Sequence, residues 1–235
     1  MSTGRVVLVT GANRGIGREV ARRCAARGDV VLLGSRGAAA GEEAADRLRR
    51  EDSSLDLRPL RLDVTRQDDV DRAVERIRAE TGRLDIVVNN AAIHYDSGAT
   101  AAAADLTTVA EAMATNVVGA WRVAVAVVPL LATGGRLVNV SSGAGSFAET
   151  AGSGGAPAYS VSKAALNMLT VKLAADLRPR RILVNAVCPG WVATDMGGPG
   201  GRPVADGAAS VMFAVDLPDG GPTGGFFRDG RPVPW

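Results

Sequence analysis

Histidine, lysine and tyrosine are the scarce residues of this 235-residue chain: one His, two Lys and two Tyr, against 25 arginines. Cysteine is equally rare. Cys24 and Cys188 lie too far apart in sequence to read as a disulfide framework, which fits a reducing cytoplasm. With His94 as the sole histidine, no His/Cys zinc site can be assembled, and no metal is expected. A Ser-His-Asp site would have to use His94, yet no motif surrounds it; a loop or pocket-rim histidine is the better reading. The net charge is only +2, with arginines scattered among acids, so neither nucleic acid nor an anionic membrane is expected as a partner. The apolar run near the N-terminus is too short for a signal peptide. The longest apolar stretch, "VVGAWRVAVAVVPLLA" (117–132), carries Arg122 and a proline, and reads as a buried core helix rather than a membrane span.

What the chain does hold is alternation. "RVVLVT", "DVVLLG", "LDLRPLRL", "RLDIVVN", "GRLVNVSS" and "RILVNAVC" are Val-, Leu- and Ile-rich runs of strand length. Helical patterns separate them. In "RQDDVDRAVERIRAETG", Val70, Val74 and Ile77 make one apolar stripe and Gly82 is a suitable stop. With a short strand near the C-terminus, this predicts an α/β, doubly wound parallel sheet (a Rossmann fold) of about seven strands. No linker divides the chain, so residues 1–235 are expected to form one domain. Two glycine-rich stretches, 143–157 and 196–203, follow strands at the sheet edge where ligands bind in such folds, and predict a pocket rim. A third, 218–227, leads to the final strand.

"TGANRGIG" (10–17) directly follows the first strand and opens a helix. Gly11 suits a tight turn, Gly15 lets backbone approach a pyrophosphate, and Gly17 allows close helix–strand packing. Asn13 and Ile16 belong to the same candidate phosphate loop, whose helix N-terminus offers free N–H groups. The second strand ends at Ser35 and Arg36, where an acid would hold a free ribose 2′-hydroxyl. Arg36 there and Arg14 inside the loop suit the 2′-phosphate of NADP(H) instead. In "AYSVSK", Lys163 lies one helical turn beyond Tyr159 on the same face. Its charge would stabilise a phenolate and so lower the tyrosine pKa, making Tyr159 a usable acid.

In order along the chain stand "TGANRGIG", "LDV" (62–64), "NNAA" (89–92), Asn116, "VNVSS" (138–142), "YSVSK" and "CPGWVATDM". The chain resembles a short-chain dehydrogenase/reductase of the short, single-domain kind, over nearly its whole length. "CPGWVATDM" and the tail "GPTGGFFRDGRPVPW" are most similar to the carbonyl reductase-like branch, which reduces aldehydes and ketones with NADPH. The resemblance implies that Asp63 binds the adenine amino group, Val64 packs beside that ring, and Asn90 and Ala91 line the adenosine ribose. It implies Tyr159 as proton donor in reduction and base in the reverse, Lys163 holding the nicotinamide ribose, and Asn116 anchoring a water in a relay to the lysine. Ser142 would hold the substrate oxygen, with Ser141 the runner-up. Pro189 and Gly190 would turn the chain so that Val192 and Thr194 contact the nicotinamide carboxamide. The two departures are Ala92 where a glycine is usual and a somewhat long spacing from Ser142 to Tyr159.

Ile93, Phe147, Trp191 and Met196 are the expected substrate-pocket residues, Trp191 being equally readable as core packing. A small-molecule carbonyl or alcohol is the expected partner. Homodimer, homotetramer and monomer all stay open. A non-catalytic NADP(H)-binding sensor on the same fold is the alternative; a sugar-nucleotide epimerase of the extended branch would need more chain.

Overall fold

The computed structural model describes residues 4–235. Eight strands form one sheet in the order β3-β2-β1-β4-β5-β6-β7-β8. In chain order they are β1 (Val6–Val9), β2 (Val30–Ser35), β3 (Leu57–Arg61), β4 (Leu84–Asn89), β5 (Leu131–Val140), β6 (Leu183–Val187), β7 (Phe226–Arg228) and β8 (Arg231–Pro232). All neighbours pair in parallel except β7 and β8. About seven strands were expected. The eighth is a two-residue antiparallel return after the Asp229–Gly230 turn, too short and too proline-rich to leave a strand pattern. Pro59 lies inside β3, which is tolerated because β3 is the sheet edge.

The helices are α1 (Gly15–Ala25), α2 (Ala38–Glu51), α3 (Gln67–Glu80), α4 (Leu106–Met113), α5 (Ala120–Val127), α6 (Phe147–Thr150), α7 (Pro157–Leu177) and α8 (Val204–Val215). Side chains alternate along each strand, so the sheet feeds two cores. Val6, Leu8, Leu32 and Leu137 pack with α3, α5 and α7 on one face, while Val7, Val9, Leu33 and Val138 pack with α1, α2 and α8 on the other. The α3 stripe is as expected: Val70 and Ile77 are buried, Val74 packs against the same core, and Gly82 ends the helix with its N–H on the Ile77 carbonyl.

The run expected as a buried core helix is half that. Val117, Ala120, Val123, Ala124 and Val127 face the core, whereas Val118, Trp121 and Val125 are exposed. By length and composition alone, Leu106–Leu130 is long and apolar enough to cross a membrane. Between α4 and α5 the helix widens into a π turn over Ala114–Gly119, a deviation common at functional sites.

A buried polar ladder seats α7 on the sheet. Asn89 Nδ2 donates to Asn139 Oδ1 (3.0 Å), and Asn139 Nδ2 donates to Thr170 Oγ1 on α7 (2.9 Å). Such a ladder, fixed at the sheet centre, sets the height and rotation of the helix that carries Tyr159 and Lys163.

Candidate active site

One cavity of about 1720 Å³ runs along the carboxyl ends of the strands. At its first end lies the glycine loop. Gly11 and Gly15 have positive φ (63° and 55°), and a Cβ on Gly11 would come within 2.9 Å of the Ala91 backbone. A Cβ on Gly17 would meet Asn90 Nδ2 at 2.3 Å and the Gly11 carbonyl at 2.7 Å. Asn90 is thus a strut: its Nδ2 donates to the Thr10 and Gly11 carbonyls (2.9 and 3.0 Å), and its backbone N–H and that of Ala91 donate to Thr10 Oγ1. Helix α1 begins with no side-chain cap, leaving its first N–H groups to the cavity. A loop so short of Cβ atoms, ending in an uncapped helix, fits the pyrophosphate of a dinucleotide.

Asn13, Arg14, Ile16, Arg36, Asp63, Val64, Asn90 and Ala91 all line this end. Asp63 accepts at Oδ1 from the Thr65 N–H and hydroxyl (2.9 and 2.6 Å). Val64 is buried beneath it against Gly119, where a Cβ would lie 2.7 Å from Val64 Cγ2. Ser35 is occupied with the Gly37 carbonyl (3.0 Å), so no acid stands at the end of β2. The two arginines differ. Arg36 lines the cavity with no ion pair among the described residues, whereas Arg14 is paired with Asp195 at 2.6 Å, both side chains 70% exposed. Sequence offered no sign of that partner, because Asp195 is 181 residues away.

The other end brings Asn116, Ser142, Tyr159 and Lys163 together. Ser142, just after β5, accepts from the Ala144 N–H (3.1 Å) and lines the same cavity as Tyr159, whose phenol pKa its hydroxyl pulls down. Ser141 is spent elsewhere: its buried hydroxyl donates to Asn167 Oδ1 at 2.5 Å. That separates the two serines. Lys163 Nζ donates to the Val140 carbonyl (2.8 Å) and lies 5.5 Å from the Tyr159 ring centroid. The expected lowering of the Tyr159 pKa is not found in this geometry. Burial pushes the phenol up to about 12, outweighing the Ser142 hydroxyl that pulls it down. Burial likewise pulls Lys163 down to about 8. Asn116 sits in the π turn with its amide on backbone: Oδ1 accepts from Ile93 N (2.8 Å), and Nδ2 donates to Ile93 O (3.0 Å) and Ser162 Oγ (2.9 Å).

Pro189, Gly190, Val192 and Thr194 also line the cavity, with Gly190 at φ 77°. Thr194 Cγ2 would lie 3.3 Å from a Cβ on Gly15, so this loop crosses the glycine loop. Ile93, Trp191 and Met196 form the apolar rim. Trp191 is wall rather than core: it is 66% exposed and pinned by Nε1 donating to the Gly197 carbonyl (2.7 Å). Phe147 is a correction. It is 79% exposed and stands outside the lining residues. Helix α6 is tied at Ser146 to the Pro234 carbonyl and at the Ala148 N–H to the Trp235 carbonyl, which turns Phe147 outward. Ala92 keeps φ out of the positive range, so the alanine carries no backbone strain.

Four further residues line this end of the cavity. Cys188 Sγ accepts from the Gly143 and Gly190 N–H groups (3.2 and 3.4 Å) and from Arg228 Nε (3.3 Å). Arg228 in turn grips Glu149 with two hydrogen bonds (3.0 and 2.6 Å). His94, expected only as a rim residue, stacks on the Tyr159 ring with centroids 4.5 Å apart. Only the tertiary fold unites them.

Known proteins match this arrangement. A family model described as short chain dehydrogenase matches residues 5–202. Carbonyl reductase (NADPH) 1 of Sus scrofa is 34% identical over an alignment covering 100% of this chain and 95% of that protein. The 3-oxoacyl-(acyl-carrier-protein) reductase of Escherichia coli strain K12 is 35% identical, covering 82% of this chain and 75% of that protein. Among solved structures, the carbonyl reductase Sniffer of D. melanogaster superposes with a TM-score of 0.87 at 29% identity, covering 99% of this chain and 100% of that one. An NADPH-bound carbonyl reductase from chicken fatty liver gives 0.86 at 28%, covering 99% of each. A glycine cradle at one end of the cavity, Ser142, Tyr159 and Lys163 at the other, and these relatives over the full length place the chain in the short-chain dehydrogenase/reductase family.

Proposed function

We propose that this chain is an NADPH-dependent reductase of aldehydes or ketones, acting as one domain over residues 1–235. The observation that carries it is the convergence of Ser142, Tyr159 and a buried Lys163 in the same cavity as a glycine loop lined by Arg14 and Arg36. The glycine loop, with Asn13 and Ile16, holds the pyrophosphate. Arg36 takes the 2′-phosphate, joined by Arg14 when it leaves its exposed pair with Asp195. Asp63, Val64, Asn90 and Ala91 seat the adenosine, and Pro189, Gly190, Val192 and Thr194 the nicotinamide end. The reduced nicotinamide, when bound, supplies the hydride.

The substrate oxygen lies between the Ser142 hydroxyl and the Tyr159 phenol, which together stabilise its developing charge. Tyr159 then gives its proton. An alkoxide is about as basic as hydroxide, the base conjugate to water of pKa ~15.7, so a phenol at about 12 still donates downhill. A high phenol pKa also keeps that proton in place at neutral pH, which favours reduction. Lys163 stabilises the phenolate left behind and holds the nicotinamide ribose, and Asn116 anchors the proton relay. The apolar rim of Ile93, Trp191 and Met196 suits a hydrophobic or aromatic ketone. Two buried free thiols accord with a cytoplasmic location, and burial holds Cys24 at about 12.

The test is NADPH consumption, followed by absorbance, across a panel of aromatic and aliphatic aldehydes and ketones. Turnover with some of the panel is expected. Tight NADPH binding with no turnover of any carbonyl would indicate a binding module instead.

A further inference from the structure

Helix α7, which carries Tyr159, has no cap of its own. Its N-cap residue Ala156 is in the left-handed region (φ 46°, ψ 50°) and has no side-chain acceptor to offer. The acceptor comes from the loop after β4. Asp96, only 8% exposed, accepts at Oδ2 from the Ala158 N–H (2.6 Å) and the Tyr159 N–H (3.4 Å). Its other oxygen, Oδ1, is buried without a hydrogen-bond partner, and the nearest opposing group is His94 Nε2 at 3.8 Å. Leaving a buried carboxylate oxygen unsatisfied is costly, and a cap alone would need only one oxygen.

His94 covers the ring of the same tyrosine. The two rings stack with centroids 4.5 Å apart and planes 29° apart. The residue before it, Ile93, is clasped through both its N–H and its carbonyl by Asn116, whose amide also donates to Ser162 on α7. Loop 93–96 is therefore wedged between the π turn and the first turn of α7. One side of the wedge holds the Tyr159 backbone and the other its ring.

We propose that Asp96 and His94 are positioning residues for proton transfer: Asp96 fixes the turn that bears Tyr159, and His94 sets the angle of the phenol and shields it from water. The inference rests on Tyr159 being the proton donor. Small errors in donor placement are expensive, because the reacting atoms must come within about 3–3.5 Å in the right alignment. Lys163, 5.5 Å from the Tyr159 ring centroid, and Cys188 are the other ionisable groups facing Tyr159, and neither belongs to the wedge.

The chain's two tyrosines allow a direct readout. In a Tyr95→Phe background, the ultraviolet absorbance of tyrosinate reports Tyr159 alone. His94→Ala is expected to move its midpoint down by about one unit or more, toward the ordinary value near 10, while His94→Phe, which keeps a stacked ring, leaves it in place. In steady state, His94→Ala and Asp96→Ala are each expected to lower kcat by ~10–100-fold, with NADPH Kd within about twofold of wild type. His94→Phe and Asp96→Asn, which keep the ring and the acceptor, recover most of it. Should Asp96→Ala not fold, Asp96→Glu moves the acceptor by one methylene and is expected to lower kcat in the same way. An unchanged tyrosinate midpoint in His94→Ala overturns the role of His94. An unchanged kcat, or a fall in kcat accompanied by a rise in NADPH Kd well beyond twofold, in the Asp96 variants overturns that of Asp96. If wild type reduces no carbonyl, the assigned function fails, while the tyrosinate titration still decides the part played by His94.

Discussion

In the proposed reaction Lys163 is the residue on which the chemistry turns, and its burial gives it a pH dependence of definite sign. Burial lowers its pKa from the ordinary 10.5 to about 8, so it is charged below about pH 8 and neutral above. Tyr159, raised to about 12, keeps its proton throughout that range. Reduction needs both the phenol proton and the ammonium charge. Its kcat/KM is therefore expected to be flat below about pH 8 and to fall above it, measured with NADPH across a series of buffers. A fall beginning below pH 7 would contradict the assignment. The arginines give a second prediction. Arg36→Ala is expected to weaken NADPH binding about tenfold or more and leave NADH binding nearly unchanged, since the proposed contact with the 2′-phosphate would be lost. Asp195→Ala frees Arg14 and is expected to tighten NADPH binding. It should cost the fold about 0–1 kcal/mol in denaturant unfolding, because exposed ion pairs contribute little. Tyr159, Lys163 and the cradle glycines were legible in sequence because their chemistry depends on residue type at short spacing. Asp195, Asp96, Arg228 and Cys188 were not, since each acts on a partner tens of residues or more away.

The glycine loop and α1 show how an element can be fixed by what it lacks. Adding one Cβ at Gly17 collides with the Asn90 side chain and the Gly11 carbonyl, and neither can withdraw without breaking the strut between β1 and β4. Gly17→Ala is expected to destabilise the chain by ~1–3 kcal/mol, as overpacking does, and to abolish NADPH binding, checked by thermal unfolding with and without NADPH. A variant with wild-type stability and affinity would refute the cradle. The element pattern itself could be read from periodicity: strands β1 to β6 and the α3 stripe fall where apolar spacing put them. The π turn at Asn116 left no such trace, because the sequence around it keeps helical spacing while one backbone turn widens. Helix α6 and β8 were missed for a related reason. Both are short, and the C-terminal segment that straps α6 down settles where Phe147 points.

Across the whole molecule, the site follows from topology. Parallel strands place all their carboxyl ends on one edge, and the two cores hold the sheet rigid behind them. Phosphate cradle, Ser142 and the 190–202 loop therefore meet in one cavity although they come from the first, middle and last thirds of the chain. That convergence is what the sequence order of motifs foreshadowed, and what their distances now support. The apolar exposed faces of Trp121 and Val125 belong to α5, away from the cavity lining. The most direct test of the central claim is Tyr159→Phe, with NADPH Kd and carbonyl turnover measured on the same preparation. The expected result is a ~10²–10⁴-fold loss of kcat with NADPH affinity within about twofold of wild type. Turnover undiminished by the loss of that one hydroxyl would contradict it.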